Sequence, residues 1–239
     1  VSIDGIASRG VVEAGIAALK AVWHRGAVDA DGKTGDGAGI HVQIPVPFFY
    51  DQIERTGHTP RMDELMAVGQ VFLPRTDFGA QETCRTIVET EVLRMGYYIY
   101  GWRHVPVNVS CLGDKANATR PEIEQILISN SKGVNEETFE RELYVIRRRI
   151  EKAASAAGIN GVYLASLSCR SIIYKGMFLA EDIADFFPDL KDTRFESAFA
   201  LYHQRYSTNT FPQWWLAQPF RLLAHNGEMN TLKGNVNWM

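Results

Sequence analysis

Strand-like and helix-like segments come in runs, without a regular strand–helix–strand alternation. This predicts an α+β fold built on antiparallel sheets. Three observations carry the prediction. Met66 to Leu73, ended by Pro74, and Glu122 to Ser129, following Pro121, read as strands. Two long amphipathic segments, Ala80 to Met95 and Asn135 to about Ala157, read as helices that each cover a sheet face. Two short apolar runs, Val162 to Ser168 and Ser171 to Tyr174, lie so close together that they read as a hairpin. No internal repeat, low-complexity stretch or linker divides the chain, so residues 1–239 are expected to form one domain.

The elements follow in order. Val1 to Ile3 alternates like a strand under way. A helix is expected over about Val11 to Trp23, with Val12, Ile16, Leu19 and Trp23 on one apolar stripe and Gly26 as its stop. Ile40 to Ile44 alternates as a strand, and Phe48 to Ile53 fits a helical turn. The helix from Ala80 places Cys84, Ile87, Val88, Val92 and Met95 inward, and Gly96 stops it. Tyr97 to His104 is an aromatic strand. Asn135 is the N-cap of the longest helix, with Phe139, Leu143, Ile146, Ile150 and Ala157 inward and Arg147-Arg148-Arg149 on a solvated face. Ala180 to Phe187 is a short helix ended by Pro188. Ser197 to Arg205 is a strand, and Phe211 to Trp215 is a bulky loop at a core edge or pocket wall. Leu222-Leu223-Ala224 suits a short buried strand.

Composition narrows the function. A 46% hydrophobic, 22% charged chain has the makings of a sizeable core. The net charge of −3 carries no nucleic-acid footprint. No apolar run approaches the roughly 18 residues of a membrane helix. No basic and apolar leader opens the sequence, and a cytoplasmic location is expected. Cys84, Cys111 and Cys169 are dispersed and odd in number, which suits neither a disulfide scaffold nor a CxxC metal site. They read as small buried hydrophobes, and no metal site is expected.

Ala27 to Gly39 reads AVDADGKTGDGAG. Gly32-Lys33-Thr34 echoes a phosphate loop, but Gly26 falls one residue too early and the loop follows a helix. Asp29 and Asp31 echo a calcium loop, but Lys33, Thr34 and Ile40 occupy other liganding or glycine positions. What remains is a tight loop whose glycines bring backbone close to a neighbouring site.

Two motifs near the end carry chemistry. His203-Gln204-Arg205-Tyr206-Ser207-Thr208-Asn209-Thr210 leaves a strand. Arg205 there is either a structural ion-pair partner or a bidentate carboxylate anchor. Arg221 to Asn230, RLLAHNGEMN, contains Asn226-Gly227. This is either a plain hairpin turn or a pair of donors for a developing oxyanion.

Taken together, His24-Arg25-Gly26 with DGKTGDGAG, HQRYSTNT and HNGEMNTLKGN resemble the amino-terminal amidotransferase domain of glutamate synthase large subunits. The resemblance runs in order along the whole chain. It implies a class II glutamine amidotransferase of the N-terminal-nucleophile hydrolase type, with a four-layer αββα sandwich. It implies hydrolysis of L-glutamine to glutamate and ammonia through a thioester. It assigns Arg205 to the substrate α-carboxylate, Tyr206 and Thr208 to the pocket, and Asn226 and Gly227 to the oxyanion hole. His225 is expected to be structural and Glu228 to support the turn. For a longer parent chain it implies FMN and a 3Fe-4S cluster. FAD and NADPH, or ferredoxin, would come through a partner such as a small beta subunit, in an oligomer without nucleic acid or membrane.

The sequence departs from that pattern at one place. The resemblance calls for a nucleophilic cysteine with a free α-amine, and residue 1 is Val1. The expectation is a segment trimmed at both ends, with no nucleophile among its own cysteines. A non-catalytic glutamine-binding or interaction module and another class II amidotransferase are the alternatives. The long stretch between the glycine-rich loop and Arg205 favours glutamate synthase over the latter.

Overall fold

The computed structural model describes residues 1–205, 211–223 and 232–239, with Leu232 described by its backbone. The elements are α1 (Arg9–Ala21), β1 (Ala38–Gln43), α2 (Val46–Arg55), β2 (Met66–Leu73), α3 (Phe78–Arg94) and β3 (Tyr98–His104), followed by α4 (Asp114–Ala118), β4 (Glu122–Ser129), α5 (Glu136–Ala156), β5 (Tyr163–Ser168), β6 (Ser171–Gly176), α6 (Ile183–Phe186), β7 (Ala200–His203) and α7 (Leu232–Trp238).

Two antiparallel sheets form the centre. One has the order β6-β1-β7 and the other β3-β4-β2-β5. β2 and β4 are buried along nearly their whole length, so both faces of their sheet are covered. One face meets α3 and α5 in a core that includes Val71, Val88, Ile126, Phe139 and Leu143. The other meets the three-stranded sheet and, beyond it, α1, in a second core that includes Val12, Ile40, Val68, Leu127 and Tyr174. The result is the α+β sandwich of helix, sheet, sheet and helices.

Local chemistry sets several boundaries. Asp77 accepts a hydrogen bond from the Ala80 N–H at 2.9 Å and caps α3, while Asn135 accepts one from the Thr138 N–H at 2.9 Å and caps α5. Gly96 takes a left-handed conformation (φ 81°) just past the end of α3.

Five expectations are corrected. Val1 to Ile3 forms no strand; its Ser2 N–H donates to Ala198 O at 2.7 Å instead. Trp23 leaves the apolar stripe because α1 stops at Ala21 and a tighter 3₁₀ turn, Trp23–Arg25, rotates it outward to 62% exposure. Ala157 is the exposed C-cap of α5, and Ala154 takes the inward position one turn earlier. Leu222 and Leu223 are exposed and lie in no strand. The strand delivering Arg205 is the shorter Ala200–His203.

The sixth correction is topological. β5 and β6 are consecutive and tightly joined, but they belong to different sheets. The Ser168 hydroxyl oxygen accepts the N–H groups of Arg170 (3.0 Å) and Ser171 (3.2 Å), turning the chain out of one sheet and into the other. What reads as a hairpin is a corner of the sandwich.

Candidate active site

β7 ends opposite the start of β1, with His203 facing Gly39 in the ladder. Gln204 and Arg205 therefore leave the sheet where the glycine-rich loop enters it. That loop folds back on itself as a finger. Asp29 N–H bonds Thr34 O at 2.9 Å, Asp36 N–H bonds Ala27 O at 3.2 Å, and Gly32 turns the tip at φ 72°. Its acids make bonds within the chain. Asp31 accepts the N–H groups of Lys33 (3.0 Å) and Thr34 (2.7 Å), and the Thr34 hydroxyl bond comes first among the causes that hold its carboxyl down to about 2. Asp29 pairs with Lys115 at 2.7 Å, which ties the finger to α4. Gly35 packs so tightly that a Cβ there would collide with the carbonyl of Phe178. This is the close backbone approach expected of the loop.

At the base of the finger, Asp36 Oδ2 lies 3.3 Å from Arg205 Nε. Burial pushes the Asp36 carboxyl up, and the Arg205 charge opposes that rise. Arg205 Nε is buried without a hydrogen bond, so the carboxylate is near it but misaligned. The Arg205 N–H donates to His203 Nδ1 at 3.0 Å. Gln204 is buried, and its amide donates to Val22 O just before the Trp23–Arg25 turn. A Cβ at Gly26 would lie 3.3 Å from the Trp23 carbonyl oxygen and 3.4 Å from Gln204 Oε1, so the two motifs are in close contact. Three sequence motifs, HRG, the glycine loop and HQR, thus converge on one spot. The cavity between Trp23, Gly26, Val28, Asp36, Phe178 and Gln204 has a volume of about 30 Å³, room for water and not for an amino acid.

Arg205 is the assigned site residue placed within the described part of the chain. Tyr206, Thr208, Asn226 and Gly227 lie outside the described residues, as do His225 and Glu228. The approach to the Asn-Gly turn is described. Arg221 is buried and paired with Glu140 of α5. Burial works to raise the Glu140 carboxyl, but the Cys169 N–H (2.9 Å), the Ser168 hydroxyl (2.7 Å) and Arg221 together hold it below the usual range. Arg221 also adds to the burial that pushes His41 down to about 4, and His41 Nε2 meets the Ser171 hydroxyl at 2.7 Å.

None of the three cysteines is built as a nucleophile. Cys84 is buried and its thiol is pushed up to about 11 by desolvation. Cys111 and Cys169 are half-buried, not fully buried as the sequence suggests. Burial raises both thiols, and at Cys169 the Glu140 carboxylate raises it further. No group of three or more metal-ligating side chains gathers among the described residues. No helix among the described residues is long and apolar enough to cross a membrane.

Sequence reasoning missed Asp36 as the partner of Arg205, Glu140 as the partner of Arg221, and Lys175. Lys175 is fully buried on β6, with Nζ bonded to Trp215 O at 2.9 Å and Tyr163 Oη at 3.2 Å. No spacing rule marks a partner 81 or more residues away, and Lys175 sits in an apolar strand pattern with nothing to single it out.

Comparison with known proteins agrees with this arrangement of motifs. A family model described as "Glutamine amidotransferases class-II" matches residues 1–239. The chain is 69% identical, over its whole length, to the glutamate synthase [NADPH] large chain of Azospirillum brasilense. It is 43% identical, again over its whole length, to ferredoxin-dependent glutamate synthase 1 of Arabidopsis thaliana, and 41% identical over 99% of its length to the large chain of Bacillus subtilis. It spans 15–16% of the length of these relatives. The chain belongs to the class-II glutamine amidotransferases.

Proposed function

We propose that this chain is the glutaminase unit, residues 1–239, of a glutamate synthase, and that it binds L-glutamine with Arg205 gripping the α-carboxylate. The observation that carries the reading is the placement of Arg205. It leaves β7 against Asp36, and the preceding Gln204 lies against Gly26, so three of the family's motifs meet at one strand end. Asp36 approaches the guanidinium from its Nε side, and the paired Nη edge is the fork that suits a carboxylate. Tyr206 and Thr208 follow directly in sequence and would line the pocket. Asn226, through its amide, and Gly227, through its N–H, would hold the oxyanion.

The chemistry follows from those roles. A thiolate attacks the side-chain amide carbon of glutamine, and the carbonyl oxygen becomes an oxyanion. Donors aimed at that oxygen typically lower the barrier by about 3 kcal/mol each. Collapse expels ammonia, its nitrogen taking a proton from the base, and leaves a thioester. Water then releases glutamate. The raised thiols of Cys84, Cys111 and Cys169 are unsuited to the attack, so the nucleophile is assigned to an amino-terminal cysteine of the longer polypeptide, whose α-amine serves as base. The ammonia would serve reductive amination of 2-oxoglutarate elsewhere in that polypeptide. FMN and a 3Fe-4S cluster are assigned there. Electrons are assigned to a beta subunit carrying FAD and NADPH, or to ferredoxin, in a cytoplasmic oligomer.

The test is labelling of the full-length protein with a diazo-ketone glutamine analogue, alongside a glutaminase assay. Glutamine-protected labelling of an amino-terminal cysteine is expected. Labelling of an internal cysteine, or no glutamine hydrolysis at all, would overturn the reading.

A further inference from the structure

A second cleft lies where β2 and β4 end. The two strands are antiparallel, with Leu73 opposite Glu122. Continuing that register by two residues puts Arg75 across from Arg120. Pro74 and Pro121 interrupt the ladder between them, because neither has an N–H to donate. The chains separate beyond the prolines and enclose a cavity of about 190 Å³, lined by Arg75, Thr76, Thr119, Arg120, Trp214 and Trp215.

Among the described residues, neither arginine of this cleft is held in an ion pair with a carboxylate. Elsewhere the part-buried arginines are paired: Arg85 with Glu124 at 2.6 Å, Arg103 with Asp189 at 2.6 Å, Arg147 with Glu151 at 2.9 Å. Arg75 has no carboxylate partner among the described residues. Arg120 reaches only Asn117 Oδ1, at 3.5 Å. Burial, and after it the Arg75 charge, makes the Arg120 guanidinium easier to deprotonate than usual, and the Glu122 charge opposes this only in part. Glu122 is the nearby carboxylate, and it is turned to His104 Nδ1 at 3.5 Å. Two guanidiniums facing one cavity repel each other unless an anion lies between them. Trp214 is fixed by its Nε1–H bond to Ala116 O at 3.0 Å, and with the half-exposed Trp215 it closes one side with an aromatic wall.

We propose that this cleft binds a small organic or inorganic oxyanion, a carboxylate or a phosphate, between Arg75 and Arg120. Neither Arg205 nor Asp36 lines it.

Isothermal titration calorimetry of the full-length protein tests this, with inorganic phosphate and with succinate at constant ionic strength set by chloride. Saturable binding of one of them is expected, weakened by roughly tenfold or more in Arg75→Gln and in Arg120→Gln, since each removes a charge-assisted fork. Arg120→Lys keeps the charge and should lose less. Arg148→Gln, a surface change on α5, should leave the affinity unchanged and guards against general charge effects. Phosphate binding alone would define the ligand as a phosphate, and succinate binding alone as a carboxylate. The absence of saturable binding, or affinities equal in the wild type and both glutamine variants with native circular dichroism, would overturn the proposal.

Discussion

Asp36 Oδ2 lies 3.3 Å from Arg205 Nε, joining the base of the glycine-rich finger to the end of β7. Burial already makes the Asp36 carboxylate costly, so its place beside Arg205 is a positioning contact more than a source of stability. Asp36→Asn should therefore raise the glutamine KM by ~5–10-fold, the equivalent of about 1 kcal/mol of lost orientation, with kcat within a factor of about three. Steady-state glutaminase kinetics of the full-length protein check this. An unchanged KM would mean that Arg205 is held by other contacts.

The Glu140–Arg221 pair governs stability instead. Both side chains are nearly buried, at 12% and 8% exposure. Glu140→Gln removes the charge and leaves Arg221 unpaired in the interior, which should cost about 3 kcal/mol. Denaturant unfolding at neutral pH measures it. Because Arg221 opens the segment leading to Asn226, the same variant should lower kcat more than it raises KM.

Lys175 gives the fold a pH dependence. Burial holds its ammonium down to about 7, with the Arg147 charge adding to the effect, whereas a lysine in the unfolded chain titrates near 10.4. Between those values the unfolded chain binds the extra proton, so stability rises with pH from about 7 to 10. Below about 7 both states are charged and the full cost of burying the ammonium is present. Lys175→Met removes this dependence. The wild type should gain about 2 kcal/mol more than the variant between pH 7.5 and 9.5, measured as the difference in denaturant unfolding free energies.

Asn226→Ala tests the oxyanion assignment. Loss of one donor should lower kcat by ~10²–10³-fold with little change in glutamine KM. A matching rise in KM would assign Asn226 to substrate binding.

Much of the fold was legible because its signals are local. Met66–Leu73 and Glu122–Ser129 were read to the residue, since each is a short run rich in apolar and β-branched residues with a proline at one end. Asn135 announced α5 by its capping chemistry. The errors came where a distant partner decides the outcome. Ser168 and Ser171 lie at a tight turn that is plain in the sequence, but which sheet each strand joins depends on β1 and β2, far away in the chain. Trp23 left its stripe because the helix tightened by one turn at Val22, a change that periodicity does not register. At the site, the chemistry of Arg205 was legible from its motif. Asp36 was visible only as one more acid in a glycine-rich loop, and the loop's fold is what carries it to Arg205.

The most direct measurement of the central claim is the glutamine KM of Arg205→Lys in the full-length protein. A lysine keeps the charge but has no planar fork to grip a carboxylate. The assignment of Arg205 as the α-carboxylate anchor predicts a rise of ~10²-fold in KM with kcat nearly preserved. A KM equal to that of the wild type would contradict it and leave Arg205 as the ion-pair partner of Asp36 alone.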